Sequence, residues 1–331
     1  MKKFWLGLAL TASVGVLAGC SQTDTETTAT GEAKPEKIRL DYAYYSPLSL
    51  VIKEKGLAEE AFAEDGVKVE FVLSQGSNKA LEFLNSNSVD FGSTAGAAAL
   101  IAKSNGAPIE GVYLYSKPEW TALVVGEDSP IQKVEELKGK KVAATVGTDP
   151  YIFLLRALDT AGLTAKDIEV VPLQHGDGAS ALVGKQVDAW AGLDPHMARV
   201  ELENNAKLFY RNPDFNTYGF LNVREDFAEK YPTYVEKVLQ VYENARLWAI
   251  EHPDETAEIL AKEAKLSSEV AKKELERNDF TQAIPGDTQR ETILEAGKVL
   301  QNNEIIKPDV QLEEVIDALI EPTFAEKVVK P

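Results

Sequence analysis

The residues that could do chemistry gather at five junctions where an apolar run gives way to polar or small residues. These are Tyr45-Ser46-Pro47, Gln75-Gly76-Ser77-Asn78, Gly92-Ser93-Thr94-Ala95, Gly147-Thr148-Asp149-Pro150 and Gly176-Asp177-Gly178. Such residues open helices, and a helix N-terminus presents unpaired N–H groups and about half a positive charge. It can hold an anion without Lys or Arg, and glycine lets a ligand approach the backbone. Ordinary N-capping uses the same residue types. Basic residues are nearly absent from these loops, while Tyr45, Trp120, Tyr151 and Trp190 offer aromatic surface and Asp149 and Asp194 offer carboxylates. That combination suits capture of a small organic acid with an apolar or amino-bearing tail.

Catalytic arrangements are scarce. His175, His196 and His252 stand far apart without metal-ligand spacing, and the single cysteine cannot help them, so each reads as a surface or loop histidine. The serine of Gly92-Ser93-Thr94-Ala95-Gly96 occupies the wrong place for a nucleophile elbow, and no Walker or dinucleotide-binding glycine pattern follows a strand. No catalytic residue, metal or cofactor is expected, and the chain is not expected to be an enzyme.

The junctions need strands and helices to position them, and the sequence supplies two matching sets. In the first, Ile38 to Tyr44 is β-compatible, Ser46-Pro47 opens a helix ending at Gly56, and Lys68 to Leu73 is a strand. A helix from Lys79 to Asn85, a strand from Val89 to Gly92 and a small-residue helix from Ser93 to Ser104 follow. In the second, Lys141 to Thr145 is a strand, Asp149-Pro150 opens a helix toward Ala161, and Ile168 to Leu173 is a strand. Gly176 to Gly178 reads as a loop, Ala179 to Val183 as a helix and Val187 to Ala191 as a strand. Leu73 and Gly76 correspond to Leu173 and Gly176, and Val89-Asp90 to Val187-Asp188. Strands alternating with helices predict an α/β fold with parallel or mixed sheets. A repeat of about 100 residues exceeds solenoid periods and predicts two similar lobes instead.

The expected division is 38–125 plus 224–331 for one lobe and 126–223 for the other, with crossings near Val125 and Val223. From Asp226 onward the chain reads as helices punctuated by Pro253, Pro285, Pro308 and Pro322.

Residues 1–20 combine Lys2 and Lys3, an apolar run from Phe4 to Val16 and the exit Leu17-Ala18-Gly19-Cys20. This describes a secretory leader, shorter than the roughly 20 apolar residues of a membrane span. Leu-Ala-Gly-Cys resembles the bacterial lipobox, which would make Cys20 the lipid-modified first residue of an exported protein held at the outer face of the cell membrane. Residues 21–37 lack large apolar side chains and read as a flexible tether. The formal charge of −18, or −20 once Lys2 and Lys3 leave with the leader, argues against nucleic acid.

The lipobox, Leu137-Lys138-Gly139-Lys140-Lys141-Val142-Ala143, Gly147-Thr148-Asp149-Pro150-Tyr151 and above all Ala179 to Glu201 (ASALVGKQVDAWAGLDPHMARVE) carry a likeness. Together they resemble the substrate-binding proteins of bacterial ABC importers for aliphatic sulfonates and taurine, within the nitrate, sulfonate and thiamine-precursor group. The resemblance implies a two-lobed periplasmic-binding-protein-like fold of type II with the ligand between the lobes. It places the site at Tyr45, Ser46, Gln75, Gly76, Ser93, Thr94, Thr148, Trp190 and Asp194, beside Trp120, Asp149 and Tyr151 from the loop reading. The partners it implies are a permease and an ATPase, met by a monomeric receptor. An aromatic or heterocyclic cargo such as a thiamine precursor or flavin, nitrate, and a sensory role without transport are the alternatives. Trp190 and Asp194 are expected as a wall and a polar anchor of the pocket.

Overall fold

The computed structural model describes residues 33–330. The leader, Cys20 and most of the expected tether lie outside the described residues. Residues 33–37 belong to the fold, not the tether: Pro35 is buried and Lys37 opens the first strand.

Among the described residues the strands are β1 (Lys37–Tyr42), β2 (Lys68–Leu73), β3 (Phe91–Ala95), β4 (Ile109–Pro118), β5 (Thr121–Val125), β6 (Lys141–Ala144), β7 (Glu169–Pro172), β8 (Ala189–Leu193), β9 (Lys207–Tyr210), β10 (Gly219–Arg224) and β11 (Asn278–Asp279). They form two sheets, one ordered β11-β4-β10-β3-β1-β2 and the other β7-β6-β8-β5-β9. Each has a parallel core in which the first strand of the unit lies between the second and the third: β2-β1-β3 and β7-β6-β8. Antiparallel strands extend each core, β10 on β3 and β5 on β8. Chain paths diverge on either side of β1 and of β6, and this opens a crevice at the carboxyl ends of the strands.

Helices follow each parallel strand and cover the sheets. Pro47–Lys55 begins on proline and stops at Gly56, whose φ of 65° is the left-handed cap that glycine adopts without strain. Ser77–Asn85 and Gly96–Ser104 follow β2 and β3, while Asp149–Thr160, His175–Val183 and His196–Glu203 follow β6, β7 and β8. After β10 the chain is helical apart from β11, and Pro232–Glu251 packs on Pro47–Lys55. No helix among the described residues is long and apolar enough to cross a membrane.

Four sequence expectations shift. Ser93 and Thr94 lie inside β3, because pairing with β10 from Phe91 to Ala95 overrides a small-residue run that favours helix. Gly176 to Gly178 lie inside helix His175–Val183 rather than in a loop. The expected division at 125 falls one strand late, since β5 pairs with β8 and β9 of the second sheet. The division at 223 falls late as well, since β10 pairs throughout with β3 and β4 of the first.

Both faces of β8 are buried, as parallel sheets require. Ala189, Ala191 and Leu193 join the main hydrophobic cluster, and Trp190, pointing the other way, joins Val124, Leu182, Met197 and Val200 in a second one.

Candidate functional site

The internal repeat has a chemical basis. Asp90, one residue before β3, accepts the Arg39 N–H at 2.8 Å while its own N–H reaches the Arg39 carbonyl at 2.8 Å. Asp188, one residue before β8, does the same with Lys141, at 2.8 and 2.9 Å. The two Val-Asp pairs thus fasten the third strand of each unit to its first.

The loops after β2 and β7 match equally, but in a register one residue away from the sequence alignment. Ser74 N–H donates to the Tyr42 carbonyl, and Leu173 N–H to the Ala144 carbonyl. With Tyr42 opposite Leu73 and Ala144 opposite Pro172, Gln75 is equivalent to Gln174 and Gly76 to His175.

Those loops meet across the gap between the sheets and bound a cleft of about 170 Å³. Tyr44, Tyr45, Ser74 and Gln75 line it from the first sheet; Gln174, His175, Gly176, Asp177, Leu193, Asp194, Pro195 and His196 line it from the second. A methyl group at Gly76 would lie 2.9 Å from His175 Nε2 and 2.8 Å from Asn78 Oδ1, so only glycine lets the two halves come this close. The N-termini of Ser77–Asn85, His175–Val183 and His196–Glu203 converge here, and none of the twelve lining residues is Lys or Arg.

Tyr45 is fixed from behind. Its hydroxyl donates to the Ser93 carbonyl at 2.9 Å, and its ring meets Trp120 edge-on at 5.9 Å. Ser93 is held in turn by buried Asp41, which accepts its N–H and its hydroxyl at 2.9 Å each.

Both cleft histidines are neutral at pH 7. Burial, then neighbouring His196, holds His175 down at about 3, and burial, then Arg199, holds His196 at about 4. The unfolded chain protonates near 6.5. The folded pKa of His175 lies below that value, so its contribution to stability is complete above pH 6.5 and is lost as pH falls toward 3. His175→Phe removes this loss. Relative to wild type the variant should therefore gain about 2 kcal/mol between pH 7.5 and pH 5. Urea denaturation at the two pH values checks this, and an unchanged difference would mean that the ring protonates within the fold.

Two segments cross between the sheets, Glu119-Trp120 and residues 211–218, and both are tied to Asp149 at the head of helix Asp149–Thr160. Trp120 Nε1 donates to Asp149 Oδ2 at 2.8 Å, and the Thr217 N–H and hydroxyl donate to the same carboxylate at 3.1 and 2.7 Å. Arg211 links the crossings through two 2.7 Å bonds to Glu119. Tyr218, at the end of the second crossing, takes a φ of 62°, a left-handed conformation that bulky residues seldom adopt. Beside the crossings Arg277, just before β11, spans to the second sheet. It donates to both oxygens of Asp194 at 3.2 Å and pairs with Glu201. Asp194 Oδ1 also accepts the Ala198 N–H at 2.8 Å.

Of the residues singled out from sequence, the structure brings Tyr45, Gln75, Gly76 and Asp194 to the cleft. Ser46, whose hydroxyl is buried without a partner, lies next to Tyr45. Ser93 and Thr94 stand behind the wall, where Thr94 accepts from Asn222 at 2.8 Å. Thr148 donates to the Thr145 carbonyl, Asp149 and Trp120 brace the crossings, and Tyr151 is buried in the main cluster. Trp190 is fully buried and does not line the cleft: the strand alternation that sends Leu193 toward the cleft turns Trp190 away from it. Sequence reasoning missed Gln174, and it read His175 and His196 as surface or loop residues. The equivalence of Gln75 and Gln174 was the available signal, hidden by the one-residue slip in the aligned repeats.

The chain matches the family described as NMT1/THI5 like over residues 51–256. A Bacillus subtilis (strain 168) protein, provisionally named an aliphatic sulfonates-binding protein, is 30% identical over 315 residues, covering 94% of this chain and 93% of its own length. The solved periplasmic aliphatic sulphonate binding protein of Escherichia coli is similar with a TM-score of 0.73 at 27% identity, over 85% of this chain and 97% of that one. The alkanesulfonate-binding protein of Xanthomonas axonopodis pv. citri, solved bound to MOPS, gives a TM-score of 0.79 at 23% identity, over 87% and 99%.

Proposed function

The chain belongs to the NMT1/THI5-like family and has the periplasmic-binding-protein fold, and from that premise we propose that it is the extracytoplasmic receptor of an ABC importer for a small organic sulfonate. The observation that carries this reading is the cleft itself. Both sheets turn the carboxyl ends of their parallel strands and their helix N-termini toward it, with no cationic side chain on its wall. A sulfonate there is held by backbone N–H groups and helix dipoles. The receptor binds and releases its cargo unchanged, and the permease and ATPase of the importer are its partners.

The moving bodies in this reading are residues 33–118 with 219–330 and residues 121–210, hinged at the two crossings. Cys20 carries the lipid that keeps the receptor at the membrane. Ring-shaped cargo is less well served: Trp120, Tyr151 and Trp190 lie behind or away from the cleft, which leaves Tyr44, Tyr45 and the imidazoles of His175 and His196 as its aromatic surface.

Thermal denaturation in a sulfonate-free buffer tests the cargo. A sulfonate at a hundred times its dissociation constant should add about 2.7 kcal/mol to stability. Stabilisation by nitrate, a pyrimidine or a flavin with none by any sulfonate would overturn the reading. The seam makes a second expectation. Gly76→Ala should fold with some loss of stability, since the φ of 155° suits glycine and the methyl group meets Asn78 of its own half, and it should also close poorly, because the methyl group meets His175 across the gap. Overpacking of this kind costs about 1–3 kcal/mol, so affinity measured by calorimetry should fall about 5- to 150-fold. Unchanged affinity would show that Gly76 and His175 do not meet in the liganded form.

A further inference from the structure

We infer that cargo binding is coupled to proton uptake at the seam beside the cleft: when the two bodies close, Glu274 takes a proton from solution, and when they part it gives the proton back. This inference rests on the sulfonate-receptor reading above, in which the bodies part and close around the cargo.

The seam is shut in this structure. Helix Ser268–Leu275, which carries Glu274, packs on helix His196–Glu203 of the other body and on Pro253–Ala264 of its own. Four charged side chains meet there, Glu274 and Arg277 from the first body and Asp194 and Glu201 from the second. Three of them are carboxyl groups, set against a single guanidinium. Arg277 gives its bonds to both oxygens of Asp194 and to Glu201. Glu274 is 1% exposed, and neither of its carboxyl oxygens has a hydrogen-bond partner. A carboxylate buried in this way costs far more than the neutral acid, so the group takes up a proton instead.

No other charge offsets the burial. Lys272 and Lys273 pair with Asp254 and Glu276, while Lys262 and Glu263 pair with Glu54 and Lys53 of helix Pro47–Lys55. Arg199 reaches the Lys265 carbonyl, His196 is neutral, and Glu203, Glu258 and Glu269 are exposed. Burial, then Asp194 across the seam, pushes the Glu274 carboxyl well above its usual value, with Arg277 opposing. Both causes belong to the shut seam. Parting admits water and carries Asp194 away, so the carboxyl falls back toward the ordinary value of about 4.3 and the proton leaves.

Uptake on closing makes affinity fall as pH rises, by up to about tenfold per pH unit for one linked proton. The cleft histidines act in the opposite sense below about pH 6.5, since they are neutral when enclosed and protonate when solvated. The coupling at Glu274 is therefore read above pH 7.

Calorimetric titration at pH 7.5 in phosphate and in Tris, whose heats of protonation differ, counts the protons exchanged. The probes are ethanesulfonate, butanesulfonate and 2-aminoethanesulfonate, which keep their charge at this pH. Those that bind should bring uptake of at least about a third of a proton each, and their affinity should fall at least about twofold from pH 7 to pH 8. Glu274→Gln copies the shape of the neutral acid, and Glu274→Met suits a site without hydrogen-bond partners. In either variant, with a melting curve confirming that it is folded, binding should persist with no uptake and with affinity independent of pH over this range. A purely structural role would leave the proton count unchanged. Smaller uptake by wild type, release in place of uptake, or uptake that persists in the variants overturns the coupling while leaving the sulfonate receptor intact. Failure of all three compounds to bind overturns the receptor reading and this inference with it.

Discussion

Trp190→Ala should lower the stability of the protein by about 3–5 kcal/mol while the folded fraction retains its ligand affinity. The indole is fully buried in the second hydrophobic cluster, against Leu182, Met197 and Val200. A methyl group on Gly178 would lie 2.6 Å from its Nε1, so the helix above has been thinned to glycine to admit the ring. The first unit solves the same packing problem in reverse. Gly92 takes the place of Trp190 in β3, and Leu84 from the covering helix fills the space, with its Cδ1 2.8 Å from where a glycine Cβ would stand. Truncation to alanine opens a cavity that neither Gly178 nor the strand can collapse into. Chemical denaturation together with titration well below the transition separates the two effects. A variant of unchanged stability with weakened binding would return Trp190 to the pocket wall.

Arg277→Met should cost a comparable 3–5 kcal/mol, roughly the penalty of leaving a buried charge unpaired. Asp194, 1% exposed, loses two hydrogen bonds from the guanidinium, and Glu201 loses its ion pair. Burial already raises Asp194 to about 6 with Arg277 opposing the shift, and removal of Arg277 raises it further. The folded pKa then stands well above the unfolded value of about 3.9, so the ionised form carries the penalty. Stability is retained below the unfolded pKa and lost as pH rises through the folded one. The variant should therefore be closer to wild type at pH 5 than at pH 8. Buried Glu274, its carboxyl raised well above the usual value by burial and then by Asp194, lies in the same cluster. A deficit equal at both pH values would place the effect in lost packing and not in the charge of Asp194.

The α/β alternation, the two units and most helix limits were legible because they depend on local chemistry: prolines at helix starts, Gly56 at a helix end, and apolar runs of strand length. The strand-to-sheet assignments of Thr121–Val125 and Gly219–Arg224 were not legible, since both are apolar runs and only long-range pairing assigns them. The same pairing turned Ser93 and Thr94 from a helix start into strand. At the site, Tyr45, Gln75, Gly76 and Asp194 could be found from junction chemistry. Trp190 and Asp149 misled for a common reason: a tryptophan or aspartate at the end of a strand is equally suited to a ligand, a core or a hinge. Only the side that each side chain takes decides among these. His175 was hidden because no sequence pattern reports that a glycine will stand opposite it.

In the proposed receptor a sulfonate is held between the two sheets at the carboxyl ends of their parallel strands. A crystal structure of the protein grown with the sulfonate that stabilises it most tests this directly. The sulfonate should lie at the N-termini of helices Ser77–Asn85, His175–Val183 or His196–Glu203, with Tyr45, Gln75 and His175 around the ligand. A ligand seated elsewhere, as in the outer groove between Gly126 and Ala206 of the second sheet, with the cleft empty, would contradict it.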